Sequence, residues 1–210
     1  MPRLLVLNSS GRTTRSITRR LTKQYTEGWL AAHPDGVLCE RDLTLHLSTP
    51  VNEAWIASAF APAEERSPAM EAVLAESETL LAEIEAADAL VLGVPMYNFG
   101  VPAQLKAYFD QIIRAGRSFQ FDPDAEPPYQ PLLADKPVTI IVSVWDGDLL
   151  PGGPMAELNF LEPHLLTMLG FIGLHSVDFV RVGYEEYQDG RLKKALGLAE
   201  TEVARRAVAV

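Results

Sequence analysis

Three stretches of this chain combine residue types that could do chemistry. The first is Asn8-Ser9-Ser10-Gly11-Arg12-Thr13-Thr14-Arg15-Ser16-Ile17-Thr18, dense in hydroxyls and carrying two arginines. It lies between an apolar run and the start of a helical pattern. A helix N-terminus presents unpaired backbone N–H groups and the positive end of the peptide dipole, which suits an anion. The hydroxyls of Ser10, Ser16 and Thr18 add donors, and Arg12 and Arg15 add local positive charge. The stretch is a candidate cradle for one terminal phosphate. It lacks G-x-G-x-x-G, the dinucleotide fingerprint, and G-x-x-x-x-G-K-[ST], the nucleoside-triphosphate loop. A plainer reading makes Ser16 a helix cap and the rest solvated loop.

The second stretch is Pro95-Met96-Tyr97-Asn98-Phe99-Gly100, followed by Val101-Pro102-Ala103-Gln104-Leu105-Lys106. It places apolar side chains where a strand-to-helix connection should be polar. Met96 and Phe99 either cap the core beneath the next helix or form one wall for a flat ring. The third is Val144-Trp145-Asp146-Gly147-Asp148, running on to Gly153. Asp146 and Asp148 read as turn formers rather than metal ligands. His33, His46, His164 and His175 lack metal-ligand spacing. Ser9-Ser10-Gly11 lacks the strained elbow of a nucleophilic serine, and Glu64-Glu65 and Glu185-Glu186 read as solvated charge.

The elements that must position these stretches follow from hydrophobic periodicity. Leu4 to Leu7, Ala89 to Val94 and Val138 to Val144 are unbroken apolar runs, as expected of strands buried on both faces. Val37 to Leu43, with Glu40 and Arg41, reads as a strand nearer an edge, and Val177 to Val182 as the last strand. Between them come helical patterns: from Ser16 with Ile17, Leu21, Tyr25 and Leu30 apolar; from Met70 to Ile84 with Val73 and Leu74; from Leu105 to Ile113; from Leu158 to Leu169; and after Asp189-Gly190. Residues 46 to 68 read as an irregular excursion with one short helix around Trp55. Residues 116 to 136 read as a long loop with a small hairpin. Strict alternation predicts one α/β domain over residues 1–210, a doubly wound parallel sheet of five strands with helices on both faces. In such sheets a ligand lies beyond the carboxyl ends of the strands, where the three stretches fall.

Bulk properties narrow the partners. The formal net charge of −10 disfavours nucleic acid and anionic membrane surfaces. A phosphate must therefore be bound by local donors. The single cysteine, Cys39, suits a reducing cytoplasm. The apolar start is too short for a signal peptide, and no segment approaches a membrane span.

The run Met96-Tyr97-Asn98-Phe99, with Gln104-Leu105-Lys106 and Tyr108-Phe109-Asp110, resembles the FMN-dependent NADH azoreductases. These sit within the flavodoxin-like NAD(P)H:quinone oxidoreductases. Arg114-Ala115-Gly116 and Leu169-Gly170-Phe171-Ile172-Gly173 extend the resemblance. It implies FMN as cofactor, NADH or NADPH as co-substrate, quinones and azo compounds as acceptors, and a homodimer with its site near the interface. It also implies that Ser10, Ser16, Thr18 and the Ile17 N–H hold the FMN phosphate. Met96, Tyr97, Asn98 and Phe99 would line the flavin ring, Gly147 would approach its pyrimidine edge, and Phe121 and Phe171 would stack on nicotinamide or acceptor. No nucleophile or acid–base residue is required, because the flavin carries the redox chemistry. Where the family has a Ser-Arg-Gly-Gly-type loop, this chain has Val144-Trp145-Asp146-Gly147 and extra residues. Two rivals share the fold: a flavodoxin-type electron carrier without turnover of its own, and a flavin-free protein that binds another phosphate.

Overall fold

A computed structural model describes residues 1–210. Along the chain it forms β1 (Arg3–Asn8), α1 (Ile17–Ala32), β2 (Val37–Asp42), α2 (Glu53–Phe60), α3 (Pro68–Ala86), β3 (Ala89–Pro95) and α4 (Ala103–Ile112). There follow β4 (Phe119–Phe121), β5 (Tyr129–Pro131), β6 (Val138–Ser143), α5 (Leu161–Ile172), β7 (Val177–Val182) and α6 (Gly190–Ala207). Five strands make one parallel sheet in the order β2-β1-β3-β6-β7. The three unbroken apolar runs are its three central strands, and the charged β2 is an edge. β4 and β5 pair separately as an antiparallel hairpin, and α2 is the short helix around Trp55.

Side chains on a strand alternate between faces, and the sheet buries both. Leu5, Leu7, Leu90, Leu92 and Ile140 belong to a core formed with α3, α4 and α5. Leu4, Val6, Ala89, Val91 and Ile141 belong to a second core under α1 and α6. Helix α1 comes very close to β3, because a Cβ on Gly93 would lie 3.0 Å from the Thr22 methyl and 3.1 Å from Asn8 Oδ1. A side chain there would push the first helix, and the loop before it, off the sheet.

The helical faces correct the sequence reading at three points. Leu21 and Tyr25 are buried on α1, but the next core residue is Trp29, at 1% exposure, while Leu30 faces outward. At about 100° per residue the face continues at i+4, not i+5. On α3, Leu74 is buried and Val73 is not. Leu158 sits in a single 3-10 turn, and α5 begins only at Leu161.

Strand order reverses between β1 and β3. Their carboxyl ends, Asn8 and Pro95, therefore open a crevice that helices crossing on either face cannot fill. The 8–18 loop, the 95–100 loop and the 144–154 loop converge there.

Candidate active site

The first loop is fastened before it meets any ligand. The Ser9 hydroxyl donates to the Gly93 carbonyl at 2.9 Å, and Gln104 Nε2 donates to the Ser9 carbonyl at 2.6 Å. The Ser10 carbonyl accepts from Arg19 Nη2 at 2.7 Å, and the same guanidinium reaches Asp42 Oδ1 and the Thr44 hydroxyl, each at 2.8 Å. The Arg19 hydrogen bond holds the Asp42 carboxyl well below the usual carboxylate range. Asp42 ends β2, so the edge strand anchors the loop through Arg19.

Ser16 is the N-cap of α1, and its Oγ accepts from the Arg19 N–H at 3.3 Å. The N–H groups of Ile17 and Thr18, in the first turn, have no intrahelical acceptor. The Ser10 hydroxyl accepts from the Arg12 N–H at 3.2 Å and keeps its own proton to give. Ser10, Ser16 and Ile17 line the cleft together at the N-terminal end of the α1 dipole, with the chemistry a phosphomonoester needs.

The second loop is a four-residue turn closed in both directions. The Tyr97 N–H donates to the Gly100 carbonyl and the Gly100 N–H to the Tyr97 carbonyl, each at 3.0 Å. Asn98 and Phe99 fill the two central positions with φ of 46° and 70°. Positive φ at both is the mirror-image hairpin turn, which ordinarily takes Asn-Gly. A phenylalanine there is strained, and such strain concentrates at binding sites. The turn holds Phe99 half-exposed, edge-on to Trp145 with ring centroids 5.3 Å apart. The Tyr97 hydroxyl accepts from the Gly11 N–H at 3.0 Å and ties this turn to the first loop.

The third loop begins with Ser143, Val144 and Trp145. Asp146 then caps a short 3-10 turn, its carboxylate accepting from the Asp148 N–H at 3.0 Å and from the Tyr187 hydroxyl at 2.6 Å. The tyrosine hydrogen bond keeps the Asp146 carboxyl below its ordinary pKa. Tyr187 belongs to the segment between β7 and α6. That segment leans back over the third loop, with the Glu185 and Glu186 N–H groups directed at the Val144 and Trp145 carbonyls. Glu185 forms an ion pair with Arg12.

The result is a cleft of about 520 Å³, within the ordinary range of small-molecule sites. Its lining includes Ser10, Ser16, Ile17, Met96, Tyr97, Asn98 and Phe99, with Pro95, Ser143, Trp145, Arg12, Glu185 and Glu186. Hydroxyls and N–H groups occupy one end, and aromatic and apolar surface the other. That division matches a ligand with a phosphate at one end and a flat ring at the other, as FMN has.

Four residues expected at the site stand elsewhere. Thr18 is fully buried, its hydroxyl 3.1 Å from the Ser16 Oγ, and does not line the cleft. Gly147 does not line the cleft. A Cβ there would lie 2.3 Å from the Tyr184 ring, so its lack of a side chain admits that ring rather than a ligand. Phe121 and Phe171 also lie outside the lining. Both pack on Tyr129, with Phe121 exposed at the hairpin and Phe171 half-buried.

Two expectations about charge are corrected. Arg12 is not free for a phosphate, because Glu185 holds it, and Glu185 and Glu186 are cleft residues rather than plain solvated charge. Nothing in their local sequence marks them. They reach the site only because β7 lies beside β6 and the segment after it folds back.

Residues 2–202 match a family described as having the flavodoxin-like fold. A protein of Opitutus terrae named FMN-dependent NADH:quinone oxidoreductase is 53% identical over 203 residues, covering 97% of this chain and 95% of the relative. One of the same name from Nostoc punctiforme is 38% identical over 204 residues, covering 97% and 96%. The crystal structure of an azoreductase from Bacillus anthracis superposes with a TM-score of 0.89 at 22% identity, covering all of both chains. That of an FMN-dependent NADH-azoreductase from the same species, in complex with FMN, gives 0.86 at 19% identity, covering 100% of this chain and 99% of the other. The structural likenesses establish the fold.

Proposed function

The chain belongs to the flavodoxin-like FMN-dependent NADH:quinone oxidoreductases, and from that premise we propose that it passes hydride equivalents from NADH, through FMN, to quinones and azo compounds. The observation that carries this reading is the cleft at the β1/β3 reversal, with a phosphate cradle at one end and an aromatic wall at the other.

Ser10, Ser16 and the Ile17 N–H would hold the FMN phosphate. Met96, Tyr97, Asn98, Phe99 and Trp145 would border the ring. Bound FMN would supply the two-electron redox chemistry. The protein's share is binding, orientation and exclusion of water. Backbone donors suit the task because an amide N–H does not ionise near neutral pH, and the Tyr97–Gly100 turn fixes their direction in advance. No side chain has to act as nucleophile or general base.

The shape of the cleft supports an order of events. The 95–100 turn and Trp145 wall two of its sides, so nicotinamide and acceptor would stack in turn on the same open face of the ring. Oxidised nicotinamide must therefore leave before the acceptor enters. Initial rates measured against NADH at several fixed quinone concentrations are expected to give parallel double-reciprocal lines. Intersecting lines would show both substrates bound together and rule out a shared face. Absence of steady turnover, with FMN bound, would instead favour an electron carrier of the same fold.

The assembly we propose is a homodimer acting in the reducing cytoplasm. No helix is long and apolar enough to cross a membrane. Large apolar side chains face outward at Phe60, Phe160, Leu45, Leu47 and Phe121, three of them on the excursion before and within α2. A surface of that kind is better covered by protein than by water. Phe121 and Phe171 would meet an acceptor only at such an interface, because neither lines the cleft of its own chain. Light scattering at micromolar concentration is expected to give twice the chain mass. A monomer with FMN bound and full activity would exclude the dimer.

A further inference from the structure

The cleft does not end at Ile17. A second groove, of about 630 Å³, shares Arg12, Ile17, Glu185 and Glu186 with it and continues between α1 and α6. Leu192 and Leu196 of α6 give it apolar surface, and Arg15 and Arg20 add positive charge. The chain as a whole has a net charge of −10, yet this lining holds Arg12, Arg15 and Arg20. Arg12 is paired with Glu185, and Arg20 with Glu200 at 2.7 Å. Arg15 is exposed and has no carboxylate partner.

We propose that this groove receives the adenosine-diphosphate half of NADH, an assignment that rests on the neighbouring cleft being the flavin site. The donor is a dinucleotide whose diphosphate carries two negative charges. Its nicotinamide must enter the cleft, so its other half must leave by one side. The side formed by Met96, Phe99 and Trp145 is apolar and carries no cation. The side beyond Ile17 is the one with arginines, and it is continuous with the cleft. Arg15 would face the diphosphate as a charge-assisted donor, and Leu192 and Leu196 would lie against the adenine.

Two carboxylates stand at the entrance to the groove. Glu185 and Glu186 stand where the two spaces meet. A carboxylate accepts hydrogen bonds from ribose hydroxyls and repels an added phosphate. Glu186 is two-thirds exposed and lies 4.0 Å from Arg12 Nη2, so most of its charge is uncompensated.

The test uses the FMN-loaded full chain. ADP-ribose, titrated by calorimetry, is expected to bind wild-type protein, and the variant Arg15→Glu is expected to bind it at least about tenfold more weakly, as the loss of one charge-assisted contact predicts. In steady state the same variant should raise the KM for NADH by a similar factor with little change in kcat. Reduced nicotinamide mononucleotide, which lacks the adenylate, should show less than about a twofold change in KM. Absence of ADP-ribose binding to the wild type would overturn the assignment, as would parallel changes for NADH and the mononucleotide. Titration of the apo-protein with FMN and FAD separates the remaining source of an adenylate: a variant that loses FAD affinity but keeps its KM for NADH also overturns it. If the wild-type holoenzyme oxidises no NADH at all, the proposed function fails, and the ADP-ribose titration still reads the groove.

Discussion

Ser16→Ala is expected to weaken FMN binding by at least about tenfold. The Ser16 Oγ stands at the start of α1, beside the unpaired N–H groups of Ile17 and Thr18, and lines the cleft. A hydrogen bond to a charged phosphate contributes about 1.5–3 kcal/mol, which is about one to two powers of ten in affinity. The same oxygen also caps the helix, and an N-cap serine replaced by alanine costs about 1 kcal/mol of stability. The two effects are separable. Thermal unfolding of the apo-protein reads the cap, and titration of FMN into apo-protein, followed by quenching of flavin fluorescence, reads the phosphate contact. Ser16→Thr keeps the hydroxyl and should recover most of both. An unchanged FMN dissociation constant in Ser16→Ala would remove the phosphate from the first loop, whatever the melting temperature did.

Gly173→Ala should be among the most destabilising single substitutions in the chain. Gly173 caps α5 with φ of 108°, a backbone conformation that residues with a Cβ rarely adopt. An added Cβ would lie 2.4 Å from the Leu133 carbonyl oxygen and 3.2 Å from the Pro131 Cβ. The clash is mainly with backbone, so no rotamer change relieves it. Backbone strain and overpacking together should cost about 3 kcal/mol or more. For a domain of this size that lowers Tm by about 6–12 °C. The damage would be directional. The Leu133 N–H donates to the Ile172 carbonyl at 3.2 Å, and Phe171 packs on Tyr129 of β5, so the β4–β5 hairpin rests on the end of α5. The variant should therefore expose the hairpin to limited proteolysis before the sheet. A Tm within about 2 °C of wild type would show that Leu133 and Pro131 yield more easily than their contacts imply.

The contrast between these residues shows what kind of information a sequence carries. Ser16 was legible because capping is local: a hydroxyl just before a helical pattern is sufficient to mark it. Gly173 was visible only as part of Leu-Gly-Phe-Ile-Gly. Its positive φ fits the familiar rule for a glycine after a helix, but its contact with Leu133 depends on where the hairpin lands.

The parallel sheet, its three central strands, the cap at Ser16 and the position of the first two site loops follow from the sequence alone. Each rests on a local pattern: unbroken apolar runs, helical periodicity, or hydroxyls at a strand-to-helix turn. Tertiary structure decided the rest. It put Asn98 and Phe99 at positive φ, because the turn is closed by Tyr97 and Gly100 and braced by Trp145 from another strand. It turned Gly147 toward Tyr184 and left Phe121 and Phe171 off the cleft, because packing partners separated by tens of residues choose which way a side chain points. It brought Glu185 to Arg12 across 173 positions of sequence. Periodicity reports the face a residue turns to its own element's neighbours. It holds no record of which distant loop closes over that face, and in this protein that distant loop sets the charge at the mouth of the site.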